Sequence, residues 1–352
     1  MAAAAKIPVI DISDEANELQ VAKDLVEAAI EHGFIYIKNT GKDIPVDAVE
    51  GAFSLAKELF QAPLEEKQRC AIQQNNRGWS GMHIETLDPK NQRVGDYKEA
   101  FNFGEFTDGK SDHPIPSNMV PHEGQISAFR DLCYATCLKI NRLLGIGLDV
   151  QPADFFVTRH LRENGPSGST LRFLYYPPLA ATDASAEDDV RAGAHSDYGS
   201  ITMLFRLRGQ AGLEVQTRGG GWAPVPVLPP GTEDDPAPPV LVNIGDLLSY
   251  WTNGLLRSTV HRVVFPAPGR GVVDGESASE PRYSIAFFCH PVGTARLEPV
   301  PSERVRSYVP PTSDAGKAGN PYAERKVLTA DEHLQMRLRA SYLQLYDDKE
   351  KQ

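Results

Sequence analysis

Apolar residues recur along this chain with two different periods, and the period changes near the middle. Between Glu18 and Gly33, Leu19, Val21, Ala22, Leu25, Val26 and Ile30 fall at helical spacing, and Gly33 supplies a stop. The same spacing predicts helices over 46–60 and 122–146, the latter carrying Ile126, Phe129, Leu132, Tyr134, Leu138, Ile140 and Leu143. Two short apolar runs, 7–12 (IPVIDI, with proline at its edge) and 34–39 (FIYIKN), read as strands. The first half is therefore expected to be helix-rich.

From residue 169 onward, short apolar or alternating runs follow one another at close intervals. They are 169–177 (STLRFLYYP), 200–207 (SITMLFRL), 212–217 (GLEVQT), 222–228 (WAPVPVL), 240–246 (VLVNIGD), 257–265 (RSTVHRVVF) and 282–289 (RYSIAFFC). Gly- and Pro-rich turns separate them, which predicts a sandwich or barrel rather than βαβ units. Segments 180–193, 229–238 and 266–281 have loop composition. After a Pro-, Gly- and Ser-containing stretch at 309–321, a last helix is expected over 330–346. No internal repeat is seen. The expectation is a mainly β core with flanking helices in one structural unit: a helix-rich region at 1–165, the catalytic β core at 166–300, and a loop and helix at 301–352.

Composition narrows the function. The chain has 352 residues, 41% of them hydrophobic, enough for a substantial core. Its formal charge of −11 argues against a nucleic-acid partner, which selects a basic face. No run approaches the roughly 18 apolar residues of a membrane helix, and neither end carries a recognisable signal or lipidation motif. Cys133 and Cys137 lie four apart without C-x-x-C spacing, so core thiols, a reducing compartment and a cytoplasmic setting are expected.

The candidate chemistry lies in RAGAHSDYGSITMLF. His195 and Asp197 are two apart at the expected start of a strand, so both emerge on one face. A third donor is available at His261, 64 residues beyond Asp197 and read as mid-strand. Two neutral imidazoles and one carboxylate on one side of an octahedron leave three positions open. That suits Fe(II) with a bidentate cosubstrate and O2, whereas zinc prefers a tetrahedral site. An H-x-D pair among nine histidines is weak on its own. Its company strengthens it: Arg282 and Ser284, two apart in an apolar run, form a fork and a hydroxyl suited to a carboxylate.

Together these strings resemble the Fe(II)/2-oxoglutarate-dependent oxygenase superfamily, in its isopenicillin-N-synthase-like branch, and are similar to thymine 7-hydroxylase and related fungal oxygenases. The matching stretches include IPVIDIS, NRGWSG, DYKEAFNFG, LRFLYYPP, RAGAHSDYGSITMLF, VLVNIGDLLSYWTNG, LRSTVHRVVFP and PRYSIAFFCHP. The resemblance implies a double-stranded β-helix (jelly roll) with His195, Asp197 and His261 as iron ligands. Arg282 and Ser284 match the clamp for the distal carboxylate of 2-oxoglutarate. Tyr176 matches the Tyr of a Y-P motif, either donating to the cosubstrate or packing the barrel. The NIGD turn around Asp246 and the TNG turn at 252–254 match strand connections. The implied reaction couples oxidative decarboxylation of 2-oxoglutarate to hydroxylation, desaturation or ring closure at an unactivated C–H bond of a small molecule, in secondary metabolism.

Strand alternation puts Phe288 on the face of Arg282 and Ser284, as a pocket wall or barrel core. Asn75, Arg77, Trp79 and Phe101 match segments that reach over the site in relatives. Arg77 then either receives an anionic substrate or is a solvated loop charge. The acidic run at 184–189 is a lid or a solvated loop. Three other functions stay open at this point: an oxidase without 2-oxoglutarate, with Arg282 and Ser284 gripping the substrate's own carboxylate, a non-catalytic scaffold, and a structural zinc site. Substrate identity and oligomeric state are not legible.

Overall fold

The computed structural model describes residues 3–178, 191–264, 280–310 and 326–341. The expected loops at 180–193, 266–281 and 309–321 lie largely, and the acidic run at 184–189 wholly, outside them, as do residues 342–346 of the last expected helix.

In chain order the first half runs β1 (Val9–Ile10), α1 (Glu18–Glu31), β2 (Phe34–Ile37), α2 (Val46–Phe60), α3 (Leu64–Arg69), β3 (Gly78–Ser80), β4 (Glu99–Phe103), β5 (Phe106–Thr107), β6 (Lys110–Ser111), α4 (Glu123–Gly147) and α5 (Phe155–Thr158). There follow β7 (Thr170–Tyr176), β8 (Ala192–His195), β9 (Ile201–Arg206), β10 (Leu213–Gln216), β11 (Trp222–Pro224), β12 (Val240–Ile244), α6 (Asp246–Trp251), β13 (His261–Val263), β14 (Arg282–Cys289), α7 (Glu303–Arg306) and α8 (Ala330–Ser341). Gly33 stops α1 for a stated reason: its φ is +68°, and a Cβ there would lie 2.2 Å from the Arg257 carbonyl oxygen.

Eight strands form one sheet in the order β1-β2-β12-β9-β14-β7-β4-β3, and four form a second, β11-β10-β13-β8. This is the jelly-roll core with helices on one side. The large sheet is buried on both faces, and the period-2 alternation sorts its residues. Ile285, Phe287 and Cys289 of β14, Ile201, Met203 and Phe205 of β9, and Val240, Val242 and Ile244 of β12 join the apolar core under α1, α2 and α4. The intervening residues face the smaller sheet, where Phe34, Tyr36, Leu174, Tyr176, Leu213, Val215, Leu241, Val263 and Ala286 pack together. Polar residues on that second face mark where the packing opens into a cavity.

Two sequence expectations are corrected. His195 closes β8 instead of opening a strand, and Asp197 lies in the turn beyond it. His261 opens β13, a strand of three residues, instead of standing mid-strand. Pairing explains both: β13 and β8 pair at His261–His195 and Val263–Ala192, with a bulge between. The Asp197 carbonyl then takes the Asp246 amide at 2.7 Å, so this turn is held by α6 and not by a ladder. All four cysteines are buried and free, as core thiols should be. Among the described residues no helix is long and apolar enough to cross a membrane.

Candidate active site

β13 and β8 bring His261 and His195 opposite each other, with ring centroids 4.4 Å apart. Asp197 Oδ1 lies 3.7 Å from His195 Nε2 and 3.8 Å from His261 Nε2. Among the described residues, these three form the one group able to offer a metal three donors, with the donor atoms within 4.8 Å of one another.

The tautomers follow from the neighbours. His195 Nδ1 is 2.7 Å from the Gly193 carbonyl, and His261 Nδ1 is 3.1 Å from the Thr259 carbonyl. A carbonyl can only accept, so each Nδ1 carries the proton and each Nε2 presents a lone pair. Burial first, and the adjacent His261 second, drive the His195 pKa down to about 3, which keeps that imidazole neutral. Burial alone would raise the Asp197 pKa, but the two imidazoles and the Asn243 amide outweigh it and hold the carboxyl below its ordinary value. Asn243 Nδ2 donates to Asp197 Oδ2 at 2.7 Å. Two neutral imidazoles with Nε2 lone pairs and an ionised carboxylate fit Fe(II) as a facial ligand set.

His195, Asp197 and His261 line a cavity of about 580 Å3 counting its mouth, and Arg282 and Ser284 line it too. Both are 2% exposed, low enough that a carboxylate reaching them leaves water behind. Arg282 Nε donates to the Ala211 carbonyl at 2.8 Å, and its guanidinium lies 4.8 Å from the Tyr176 ring centroid, across the β14–β7 pairing. Tyr176, Lys98, Arg172 and Phe288 also line this space.

A second opening meets the first at Leu87, Arg172, His195, Asp197 and Phe288. Its remaining wall includes Asn76, Glu85, Tyr198 and, from α8, Leu334 and Leu338. Asn75, Arg77, Trp79 and Phe101 do not line either space. Asn75 is exposed and accepts the Arg77 amide at 3.1 Å. Arg77 donates to Thr170 Oγ1 at 2.6 Å, Trp79 Nε1 to Glu99 at 2.8 Å, and Phe101 is fully buried. Sequence reasoning passed over Asn76, Glu85, Arg172, Tyr198 and Asn243. For Arg172 and Asn243 a signal was available, since each is a polar residue on a strand that is otherwise apolar.

Fold and site together define a jelly-roll protein with a facial two-histidine, one-carboxylate centre. Residues 167–291 match the 2OG-Fe(II) oxygenase superfamily, and residues 7–123 match the non-haem dioxygenase N-terminal family of morphine synthesis. A UPF0676 protein of Schizosaccharomyces pombe is 36% identical, over 85% of this chain and 86% of its own length. The proline hydroxylase buaE of Petromyces alliaceus is 33% identical, over 80% and 86% respectively. The full-length thymine 7-hydroxylase of Neurospora crassa, solved with α-ketoglutarate and 5-formyluracil, superimposes with a TM-score of 0.73 at 30% identity, covering 97% of this chain and 99% of that one. The chain belongs to the 2OG-Fe(II) oxygenase superfamily. It is an Fe(II)- and 2-oxoglutarate-dependent dioxygenase, and O2 is its oxidant.

Proposed function

We propose that His195, Asp197 and His261 hold the Fe(II), that Arg282 and Ser284 grip the distal carboxylate of 2-oxoglutarate, and that Tyr176 donates to the same cosubstrate. The observation that carries this reading is that all six side chains line one cavity, with the clamp set along β9 from the donors: Ser284 pairs with Arg206, whereas Thr202 pairs with Asn243, which holds Asp197. Bound Fe(II) supplies the redox chemistry that couples decarboxylation of 2-oxoglutarate to oxidation of a C–H bond. The chain's own share is positioning. Nε2 lone pairs aimed by Gly193 and Thr259 set the metal's place, Arg282 fixes the cosubstrate's far end, and Phe288 with α8 keeps water from the substrate side.

The substrate of this reading is a small polar molecule of secondary metabolism. Its polar edge meets Asn76, Glu85 and Arg172, and its apolar body meets Phe288, Leu87 and Leu334. The Petromyces proline hydroxylase and the Neurospora enzyme with 5-formyluracil, named for or solved with small nitrogen-bearing rings, support that size and polarity. Four free thiols accord with a reducing, cytoplasmic setting. A test panel of cyclic amino acids and pyrimidines, with Fe(II), 2-oxoglutarate and O2, is expected to yield succinate in step with a product heavier by one oxygen or lighter by two hydrogens. Product formed without succinate would remove Arg282 and Ser284 from the cosubstrate role.

A further inference from the structure

The segment between β3 and β4 carries a set of buried charges. Asp96 is fully buried, and Glu85 and Lys98 are nearly so. Lys98 Nζ forms ion pairs with both Asp96 and Glu85, and the Glu85 carboxylate also accepts from Arg172 Nη1 at 3.3 Å. Burial pulls the Lys98 ammonium down, but Asp96 and Glu85 outweigh it and hold its pKa above the ordinary lysine value. Lys98 is therefore a fixed cation, with the Asp96 carboxyl against it.

What Asp96 does with its other oxygen is informative. Oδ1 accepts from the Gly193 amide at 3.0 Å and from Gln92 Nε2 at 2.8 Å. Among the described residues β8 is the edge strand of its sheet, so no neighbouring strand is described that accepts the Gly193 amide. Asp96 stands in for that strand. The approach is close: a Cβ at position 193 would lie 2.2 Å from Gln92 Oε1 and 3.0 Å from the Asp88 amide nitrogen, so a larger residue would displace the Gln92 amide that holds Asp96. The carbonyl of this same Gly193 receives His195 Nδ1.

We propose that Asp96 is a positioning residue for the metal centre, holding Gly193 on the edge of β8 so that the Gly193 carbonyl aims His195 Nε2 at the ion. Lys98 takes up the second oxygen of Asp96, and Gln92 fixes the carboxylate plane. The inference rests on the reading of His195 as a metal ligand, and a single titration separates the two.

The probe is Co(II) alone, titrated into the full chain and followed by its absorption bands, with thermal melting measured in parallel. Co(II) binding that is lost in His195→Ala establishes the ligand reading, and failure there is failure of that reading and not of this one. Asp96→Ala is then expected to raise the Co(II) dissociation constant about 10–100-fold, the usual loss when a ligand's outer partner is removed. Asp96→Asn keeps an oxygen for Gly193 but sets an amide against Lys98. It is expected to melt lower yet bind Co(II) within about threefold of the unmodified chain, a split that a merely structural carboxylate does not give. Should Asp96→Ala not fold, the double variant Asp96→Leu with Lys98→Met removes both charges together and leaves Glu85 with Arg172, a kind of replacement that is often neutral, and it is expected to show the same loss of affinity. Unchanged Co(II) affinity in Asp96→Ala (or in the double variant, should Asp96→Ala not fold), or Asp96→Asn weakened as much as the variant that removes the carboxylate, overturns the proposal.

Discussion

The proposed metal end and the proposed cosubstrate clamp are built in opposite ways. Arg282 and Ser284 stand on β14, which pairs with β7 from Arg282 to Phe288 and with β9 from Ser284 to Cys289. On a strand held from both sides, alternation alone settles which residues face the cavity, and the clamp needs little further help. The metal end has no such frame. His195 ends an edge strand, Asp197 lies in a turn, and His261 begins a strand of three residues. There, aim is set by individual hydrogen bonds: Gly193 and Thr259 carbonyls for the imidazoles, and the Asn243 amide for the carboxylate. A centre that gathers ligands from strand ends depends on its outer partners, and a clamp in the middle of a sheet depends on pairing.

The largest effect expected from breaking this comparison is at Asp197. Asp197→Ala removes one of three donors, and turnover should fall on the order of 10³-fold, since metal assistance supplies several kcal/mol of barrier lowering. The far-ultraviolet spectrum should be unchanged, because no strand pairing runs through Asp197. An active Asp197→Ala enzyme would contradict the ligand set. Next comes Arg282→Ala. Truncating one partner of a buried charged hydrogen bond costs about 2–5 kcal/mol, so the KM for 2-oxoglutarate should rise about 30-fold or more. Co(II) affinity without cosubstrate should stay put, which separates the two ends directly. Arg282→Lys should recover only part, because an ammonium lacks the fork. If 2-oxoglutarate binding is indifferent to both changes, the clamp lies elsewhere.

Asn243→Leu probes the outer partners of the metal end and should be milder. It leaves the ligands in place but frees Asp197 to rotate, and the Co(II) dissociation constant is expected to rise about 10-fold. At saturating metal the KM for 2-oxoglutarate should barely move. A shift in that KM with metal affinity intact would reverse the assignment of Asn243 to the metal end.

The same contrast governs what the sequence could disclose. β14 and α2 match their expected bounds because each is a local pattern, an alternating apolar strand and an amphipathic helix, that the fold leaves intact. The H-x-D pair, the distal His261 and the R-x-S pair, proposed here as ligands and clamp, stand out in the sequence because ligand chemistry restricts residue type. Their setting was not. That Asp197 would lie in a turn follows from a bond to Asp246, and the bracing of Asp197 by Asn243 joins positions 46 apart. The NIGD segment read only as a strand connection, although its Asn243 touches the centre. In NRGWSG the neighbour of the expected residue, Asn76, lines the substrate side, with φ of 61° turning it there while Asn75 faces solvent. β3 and β4 escaped notice because they are short: β4 gains its pairing from β7, which lies far along the chain, and β3 pairs in turn with β4.

The smallest effect concerns imidazoles behind the site, which burial keeps neutral as it does His195. His160 gives its Nδ1 proton to the Phe156 carbonyl at 2.7 Å, and its Nε2 lies 2.8 Å from Ser200 Oγ. Burial takes the pKa of His160, and likewise of His333, down to about 4. The folded state therefore binds protons less readily than the unfolded chain, whose histidines titrate near 6.5. The stabilisation is complete above pH about 6.5 and is lost as the pH falls towards 4. Between pH 7.5 and 5.5 each of these two histidines should remove about 1 kcal/mol, read as a lower urea midpoint. His160→Gln, which keeps a donor for Phe156 and an acceptor for Ser200, should flatten that decline by about one histidine's share. A urea midpoint that falls as steeply in the variant would place the acid sensitivity in other groups.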